Sequence, residues 1–101
     1  MNIQITSIHF TADHKLTEFI QTKVEKLDQY FDRIVRADVI LKLENSGQVR
    51  DKIVEIRLKV PQDTLIVKES NKTFESATDS AIDNIKRQIK RYKEKMSPRH
   101  S

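Results

Sequence analysis

Apolar and polar positions along the chain follow two different periods, and the switches between them divide the sequence into six elements. Residues 2–10 are predicted to form a half-buried strand, because Ile3 and Ile5 alternate with polar residues. The phase changes at Ile8 and Phe10, which indicates either a bulge or the end of the strand. Residues 13–31 then repeat their apolar positions at helical spacing, with Thr11 or Asp13 as the expected cap. The apolar stripe of this first helix consists of Leu16, Phe19, Ile20, Val24, Leu27, Tyr30 and Phe31.

The period of two returns at Ala37 and predicts three further strands. Turn signals separate them at residues 45–47 and at residues 61–63. Because these connections are short, the three strands are expected to run antiparallel to one another. Their apolar positions are Val39, Leu41, Leu43, Val54, Ile56, Leu58, Val60, Leu65 and Val67.

A second amphipathic helix is predicted to begin at Asn71 or Thr73 and to end before Pro98. A helix over residues 73–95 would be ~35 Å long, whereas a seven-residue strand spans only ~23 Å. The final two turns of this helix are therefore expected to extend beyond the sheet. Its apolar face consists of Phe74, Ala77, Ala81, Ile82, Ile85, Ile89, Tyr92 and Met96.

The resulting order, β-α-β-β-β-α, predicts an α+β fold. Each strand offers one apolar face and each helix one apolar stripe, so both helices are expected to pack on one face of a four-stranded sheet. A right-handed crossover would make the first two strands parallel neighbours. The other sheet face is expected to stay solvated. Residues 1–96 are predicted to form one domain, and residues 97–101 a short flexible tail.

Composition narrows the class of protein. The chain has 101 residues, enough for one domain, and its Ile, Val, Leu and Phe residues suffice for a small core. No apolar run approaches the ~20 residues of a membrane span, and the first residues lack the basic start and apolar stretch of a secretion signal. A cytoplasmic protein without a membrane partner is therefore expected.

Candidate catalytic chemistry is sparse. The absence of cysteine excludes disulfides, thiolate metal sites and a cysteine nucleophile, and a single glycine excludes a glycine-rich phosphate loop. His9, His14 and His100 lack the spacing of metal ligands, and Asp79 and Asp83 lie one helical turn apart on a polar face. The sequence predicts no enzyme, no metal, no cofactor and no small-molecule substrate.

Positive charge is concentrated at one end of the chain. Residues 86–101 contain seven Lys and Arg and one Glu, while the residues before them contain slightly more acidic than basic side chains. The dipole of a helix C-terminus favours one or two cations in its last turn, and this cluster exceeds that need. The excess favours a surface that binds a polyanion.

Lys23 falls inside the apolar stripe of the first helix. One interpretation is that its stem lies on apolar neighbours while its ammonium reaches water. The alternative is that Lys23 lines a groove between the two helices and adds its charge to the basic cluster of the second helix. The sequence alone leaves both interpretations open.

Four segments together resemble bacterial ribosome hibernation-promoting factors, a family that includes the ribosome-associated inhibitors once called sigma modulation proteins. Residues 23–32, KVEKLDQYFD, resemble the end of the family's first helix, and Ile3-Gln4-Ile5-Thr6 with Phe10 is similar to its first strand. DSAID and RQIKRYK resemble its second helix. The match covers nearly all of residues 2–95. Family members with two domains pair ribosomes through the second one, and this sequence resembles the short form.

The resemblance implies a fold similar to double-stranded-RNA-binding domains. It also implies binding to the small ribosomal subunit and its ribosomal RNA in the decoding channel, where messenger and transfer RNA would lie, with inhibition of translation under stress or in stationary phase. A ribosome-dimerising factor is a further candidate partner. The RNA-binding residues implied by the resemblance are Lys23, Lys26, Lys86, Arg87, Lys90, Arg91 and Lys93.

Two alternatives remain open at this point. The chain is either a general module for structured RNA that binds outside the decoding site, or a protein-interaction module that uses the open sheet face or an edge strand. Binding to a single ribosomal site would separate the first alternative from a hibernation factor. A salt-independent complex that survives nuclease would favour the second.

Overall fold

The structure, a computed structural model, describes residues 1–46 and 49–96. It confirms the predicted order of elements and the α+β class. The turn residues 47–48 and the predicted tail at residues 97–101 lie outside the described residues. The elements are β1 (Asn2–Ile8), α1 (His14–Glu25) with a 3₁₀ turn (Lys26–Gln29), β2 (Arg36–Ser46), β3 (Val49–Val60), β4 (Asp63–Asn71) and α2 (Phe74–Met96).

The four strands form one sheet in the order β1-β2-β3-β4. β1 and β2 are parallel neighbours, as predicted, because α1 connects the end of one strand to the start of the next. The β2–β3 and β3–β4 pairs are antiparallel, and Ile56 of β3 lies between Val39 of β2 and Val67 of β4. The apolar positions of three neighbouring strands therefore face the same side.

Both helices pack on that side of the sheet. The inward residues of β2, β3 and β4 form a single buried cluster with Ile20 and Val24 of α1 and with Ile85 and Ile89 of α2. These four helical residues are at most 1% exposed. The predicted arrangement of two helices on one face is thus confirmed, and burial of this shared apolar area is the main source of stability.

Side-chain caps fix where the two helices begin. Asp13 Oδ1 accepts a hydrogen bond from the backbone N–H of Leu16 at 2.8 Å. Thr73 Oγ1 accepts one from the backbone N–H of Ser76 at 3.0 Å. Each cap satisfies an N–H that has no partner within its helix. Asp13 and Thr73 are therefore the caps among the candidates that the sequence offered.

The backbone resolves one open boundary and corrects another. The phase change after Ile5 marks the end of the strand and not a bulge: β1 ends at Ile8, and His9 adopts a left-handed conformation with φ of 65°. The α-helical part of the first helix ends at Glu25, and the chain continues as a tighter 3₁₀ turn. The turn changes the phase of the stripe, so Phe31 is buried while Tyr30 is exposed.

The expectation that two turns of α2 extend beyond the sheet is also wrong. Tyr92 is only 6% exposed, and its hydroxyl donates a hydrogen bond to the carbonyl oxygen of Pro61 at 2.7 Å, in the β3–β4 turn. The ring of Phe31 packs against Tyr92 edge to face. The predicted overhang compares α2 with a seven-residue strand, whereas β3 has 12 residues and is long enough to lie under most of the helix. α2 therefore remains packed through Tyr92, and only its last turn lies further out.

The helix-free face of the sheet contains ion pairs between neighbours on the same strand. Arg36 Nη2 donates to Asp38 Oδ1 at 2.7 Å, and this hydrogen bond raises the pKa of the Arg36 guanidinium above its ordinary value. Arg57 Nε donates to Glu55 Oε2 at 2.6 Å. Opposite charges therefore compensate one another locally on this face.

Candidate nucleic-acid interface

Four of the predicted cations of α2 line one groove on the helix side, which we call the α2 groove. Lys86, Lys90 and Lys93 recur at helical spacing, and at 100° per residue they lie within a narrow arc, with Arg87 beside it. The groove encloses about 510 Å³. Its lining residues are Tyr30, Lys86, Arg87, Ile89, Lys90, Lys93 and Glu94.

A second groove lies between the two helices, and we call it the inter-helix groove. It encloses about 400 Å³ and brings Lys23 and Lys26 together with Lys86 of α2. The two grooves share Lys86 and Tyr30, so they adjoin one another. The residues that line the inter-helix groove are Lys23, Lys26, Gln29, Tyr30, Asp79, Ile82, Asp83 and Lys86.

Both interpretations of Lys23 describe part of its position: its side chain packs on an apolar neighbour, and its ammonium lies in the groove between the helices. Its ammonium lies 5.3 Å from the centroid of the Phe19 ring, which places the side chain against an apolar neighbour. The same Nζ lies 3.4 Å from Asp79 Oδ1 of α2, and 38% of the side chain is exposed. Lys23 therefore reaches the inter-helix groove, where Asp79 compensates its charge.

Tyr30 belongs to this surface, although helical spacing predicts it in the apolar stripe of the first helix. It follows the 3₁₀ turn, where its N–H donates to the carbonyl oxygen of Leu27. The Lys86 ammonium lies 5.0 Å from the centroid of its ring. Lys93 Nζ donates to the carbonyl oxygen of Tyr30 at 2.8 Å and thereby links α2 to the end of the first helix. The sequence offers one indirect signal, an aromatic residue close after two lysines of the resembling segment.

Arg91 stands apart from the other six predicted residues. It lies on the opposite flank of α2, where it lines a groove of about 380 Å³. The other lining residues there are Asp63, Thr64, Leu65, Gln88, Tyr92 and Lys95. The structure thus brings six of the seven predicted residues around two adjoining grooves and leaves the seventh near the edge strand β4.

The arrangement suits a polyanion. Cations from α1, the 3₁₀ turn and α2 converge on one surface, whose acidic groups are Asp79, Asp83 and Glu94. Within residues 1–46 and 49–96, no three His, Asp or Glu side chains come together to hold a metal ion. In the same part of the chain, no helix has the length and apolarity to cross a membrane. The fold and this surface together define an α+β domain with a basic helix side.

Comparison with known proteins agrees with this class. The chain belongs to the sigma 54 modulation protein / S30EA ribosomal protein family, whose pattern matches residues 3–97. This membership confirms the resemblance seen in the sequence. A ribosome hibernation promoting factor of Salmonella typhimurium is 32% identical over 96 residues, which cover 95% of this chain and 97% of the relative.

Solved structures show the same architecture. The N-terminal domain of Thermus thermophilus Protein Y is 27% identical and superposes with a TM-score of 0.78, covering 91% of this chain and 99% of that domain. A ribosomal subunit interface protein from Coxiella burnetii reaches a TM-score of 0.83 over 92% of this chain and 98% of its own. At 22% identity, the likeness to the Coxiella protein shows the fold alone.

Proposed function

We propose that this protein is a ribosome hibernation factor of the cytoplasm, and that it binds the small ribosomal subunit in the decoding channel and thereby inhibits translation. The observation that carries the proposal is the convergence of six cations from α1, the 3₁₀ turn and α2 around the α2 and inter-helix grooves. Membership of the family, and the name of the Salmonella relative, support a role in ribosome hibernation. Residues 1–96 would serve as the ribosome-binding domain.

The mechanism we infer is steric. A folded domain held in the channel would exclude messenger and transfer RNA, because their binding requires the same space. Lysine and arginine contacts to phosphate would supply the affinity, since each contact releases counterions that the RNA had condensed. Such contacts position a protein without reading sequence, and ribosomal RNA presents a fixed shape for them to match.

Sedimentation with purified subunits tests the proposal. We expect the protein to pellet with small subunits and not with large ones. Small subunits already loaded with messenger and transfer RNA should fail to bind it, because the channel is then occupied. Equal binding to empty and loaded subunits would favour a general RNA module outside the decoding site. A complex that resists both salt and nuclease would instead indicate a protein-interaction module.

Salt dependence is the first quantitative prediction. If the six cations of the two adjoining grooves contact about five phosphates, log K should fall with log salt at a slope near −3.5 to −4.5, taking ~0.7–0.9 per phosphate. Affinity for small subunits should therefore drop about 100- to 500-fold between 50 and 200 mM salt. Filter binding across a salt series measures the slope, and a flat dependence would contradict the electrostatic mechanism.

Lys23→Met is the second prediction, and it separates packing from binding. Methionine keeps an unbranched stem against Phe19 but removes the ammonium from the inter-helix groove. Loss of an exposed ion pair changes stability by only about 0–1 kcal/mol, so the urea midpoint should stay close to that of the parent. Affinity for small subunits is expected to fall several-fold because one phosphate contact is lost.

Asp79→Asn is the matched control for Lys23→Met. It breaks the same ion pair but leaves the Lys23 ammonium in the groove and removes a negative charge that repels phosphate. Affinity should therefore hold or rise. Loss of affinity in both variants would mean that the ion pair itself, and not the cation, matters for binding.

A further inference from the structure

Tyr30 is the one exposed residue among the six aromatic residues of the chain, all of which lie in the described part. Its exposure is 42%, and it lies where three grooves meet. The third groove encloses about 360 Å³ and is also lined by Asp28, Gln29, Phe31, Asp32 and Lys93. The Lys86 ammonium lies over the ring, 5.0 Å from its centroid. The apolar area available to a ligand is therefore the part of the ring that Lys86 leaves exposed to water.

The backbone of Tyr30 is held in place at both of its polar groups. Its N–H donates to the carbonyl oxygen of Leu27 at 3.0 Å, and its carbonyl oxygen accepts from Lys93 Nζ at 2.8 Å. The next residue, Phe31, is buried against the ring of Tyr92. The ring is therefore presented from a fixed main chain, which reduces the conformational entropy that binding would otherwise cost.

Cations predominate on one side of this ring. The α2 groove beside it contains Lys86, Arg87, Lys90 and Lys93 against a single carboxylate, that of Glu94. An aromatic face next to a positively charged groove is the arrangement with which proteins hold single-stranded nucleic acid, because each base has a π face and each nucleotide a phosphate. A base inside a duplex is stacked on both sides and cannot reach such a ring.

We propose that Tyr30 is a stacking platform for an unpaired RNA base whose flanking phosphates are bound by Lys86 and Lys90. The inference rests on the proposed function only in taking RNA as the ligand. It adds that the ligand presents a bulged, looped or terminal nucleotide at this position. Recognition would then combine the shape of a folded RNA with the extrusion of one base.

Three variants of Tyr30 test the platform on purified small subunits. Tyr30→Phe keeps the ring, Tyr30→Leu keeps apolar bulk without a π system, and Tyr30→Ala removes both. Loss of one base stack lowers affinity about tenfold, so the Leu and Ala variants should bind about tenfold more weakly while the Phe variant matches the parent. Urea unfolding of each variant separates lost binding from lost folding. Equal affinity of the folded Phe and Leu variants would overturn the proposal.

A fluorescence titration provides a second readout that a purely structural role would not change. The chain has two tyrosines and no tryptophan, and Tyr92 is buried, so stacking on Tyr30 should quench tyrosine emission. The probes are a single-stranded heptamer of adenylate and an abasic heptamer with the same phosphates. Quenching is expected with the adenylate probe alone, and it should vanish in Tyr30→Phe. Equal quenching by both probes, or none by adenylate, would overturn the platform.

The two experiments distinguish failure of this inference from failure of the proposed function. If the parent protein binds small subunits and the Leu variant binds them equally well, the platform is wrong and hibernation stands. If the parent binds no subunits but adenylate quenches Tyr30, the platform stands and the decoding-channel proposal is wrong.

Discussion

Replacing Arg87 and Lys90 together by glutamate is expected to abolish inhibition of translation while the domain stays folded. Both side chains are exposed and line the α2 groove. Substitutions at such positions change stability by about 0.5 kcal/mol or less each. Like charges brought together at an interface cost several kcal/mol, so two reversed contacts should weaken subunit binding more than about 100-fold. Cell-free translation with increasing amounts of the variant measures the effect.

Lys59→Glu with Lys72→Glu is the matched control. Each double variant changes the formal net charge from +4 to zero. Lys59 and Lys72 are also exposed, but Lys59 lies on the helix-free face of the sheet and Lys72 precedes α2, far from the α2 groove. The control should inhibit translation like the parent. If both double variants lose inhibition equally, net charge and not this groove determines binding.

The choice of Arg87 and Lys90 follows from the structure rather than from charge alone. Lys93 also lines the α2 groove, but its Nζ holds the carbonyl oxygen of Tyr30, so its reversal would disturb the end of the first helix. Arg91 lies on the other flank of α2. A reversal of Arg91 therefore tests whether RNA contacts both flanks, which is a separate question.

The fold follows from the sequence because each element repeats a simple period and has one apolar face. Alternation through Val54, Ile56 and Leu58 fixes which side of β3 is buried, since a shift of one residue would expose all three. Short hairpin connections then fix the order of β2, β3 and β4. Element ends were less predictable, because His9 and the 3₁₀ turn depend on local backbone geometry.

The candidate site was predictable in its residue types and not in its geometry. A helical projection groups Lys86, Lys90 and Lys93, and the resemblance adds the lysines of the first helix. Neither source indicates that Asp79 pairs with Lys23, because that contact depends on how the two helices pack. The exposure of Tyr30 could not be predicted either. A regular helix through residue 31 would place its ring on the apolar face of the first helix, and the 3₁₀ turn changes that position.

Ile56→Ala is expected to lower the free energy of unfolding by about 2–5 kcal/mol. Ile56 is fully buried in β3 between Val39 and Val67, beneath the layer of helices. Alanine removes three carbons and leaves a cavity that rigid neighbouring strands cannot close. The total free energy of unfolding of a small domain is only about 5–15 kcal/mol. The variant should therefore unfold at a clearly lower urea concentration.

Ile66→Ala provides the same chemical change one strand away and on the opposite face. Ile66 lies in β4 and is 50% exposed, so its truncation returns little area to water and creates no enclosed cavity. Its urea midpoint should remain near that of the parent, with a small loss from reduced strand propensity. Because both variants lose the same atoms, the difference between them measures the burial of Ile56. Equal losses would contradict a main core on the helix side of the sheet, and with it the packing that holds α2 and its basic groove in position.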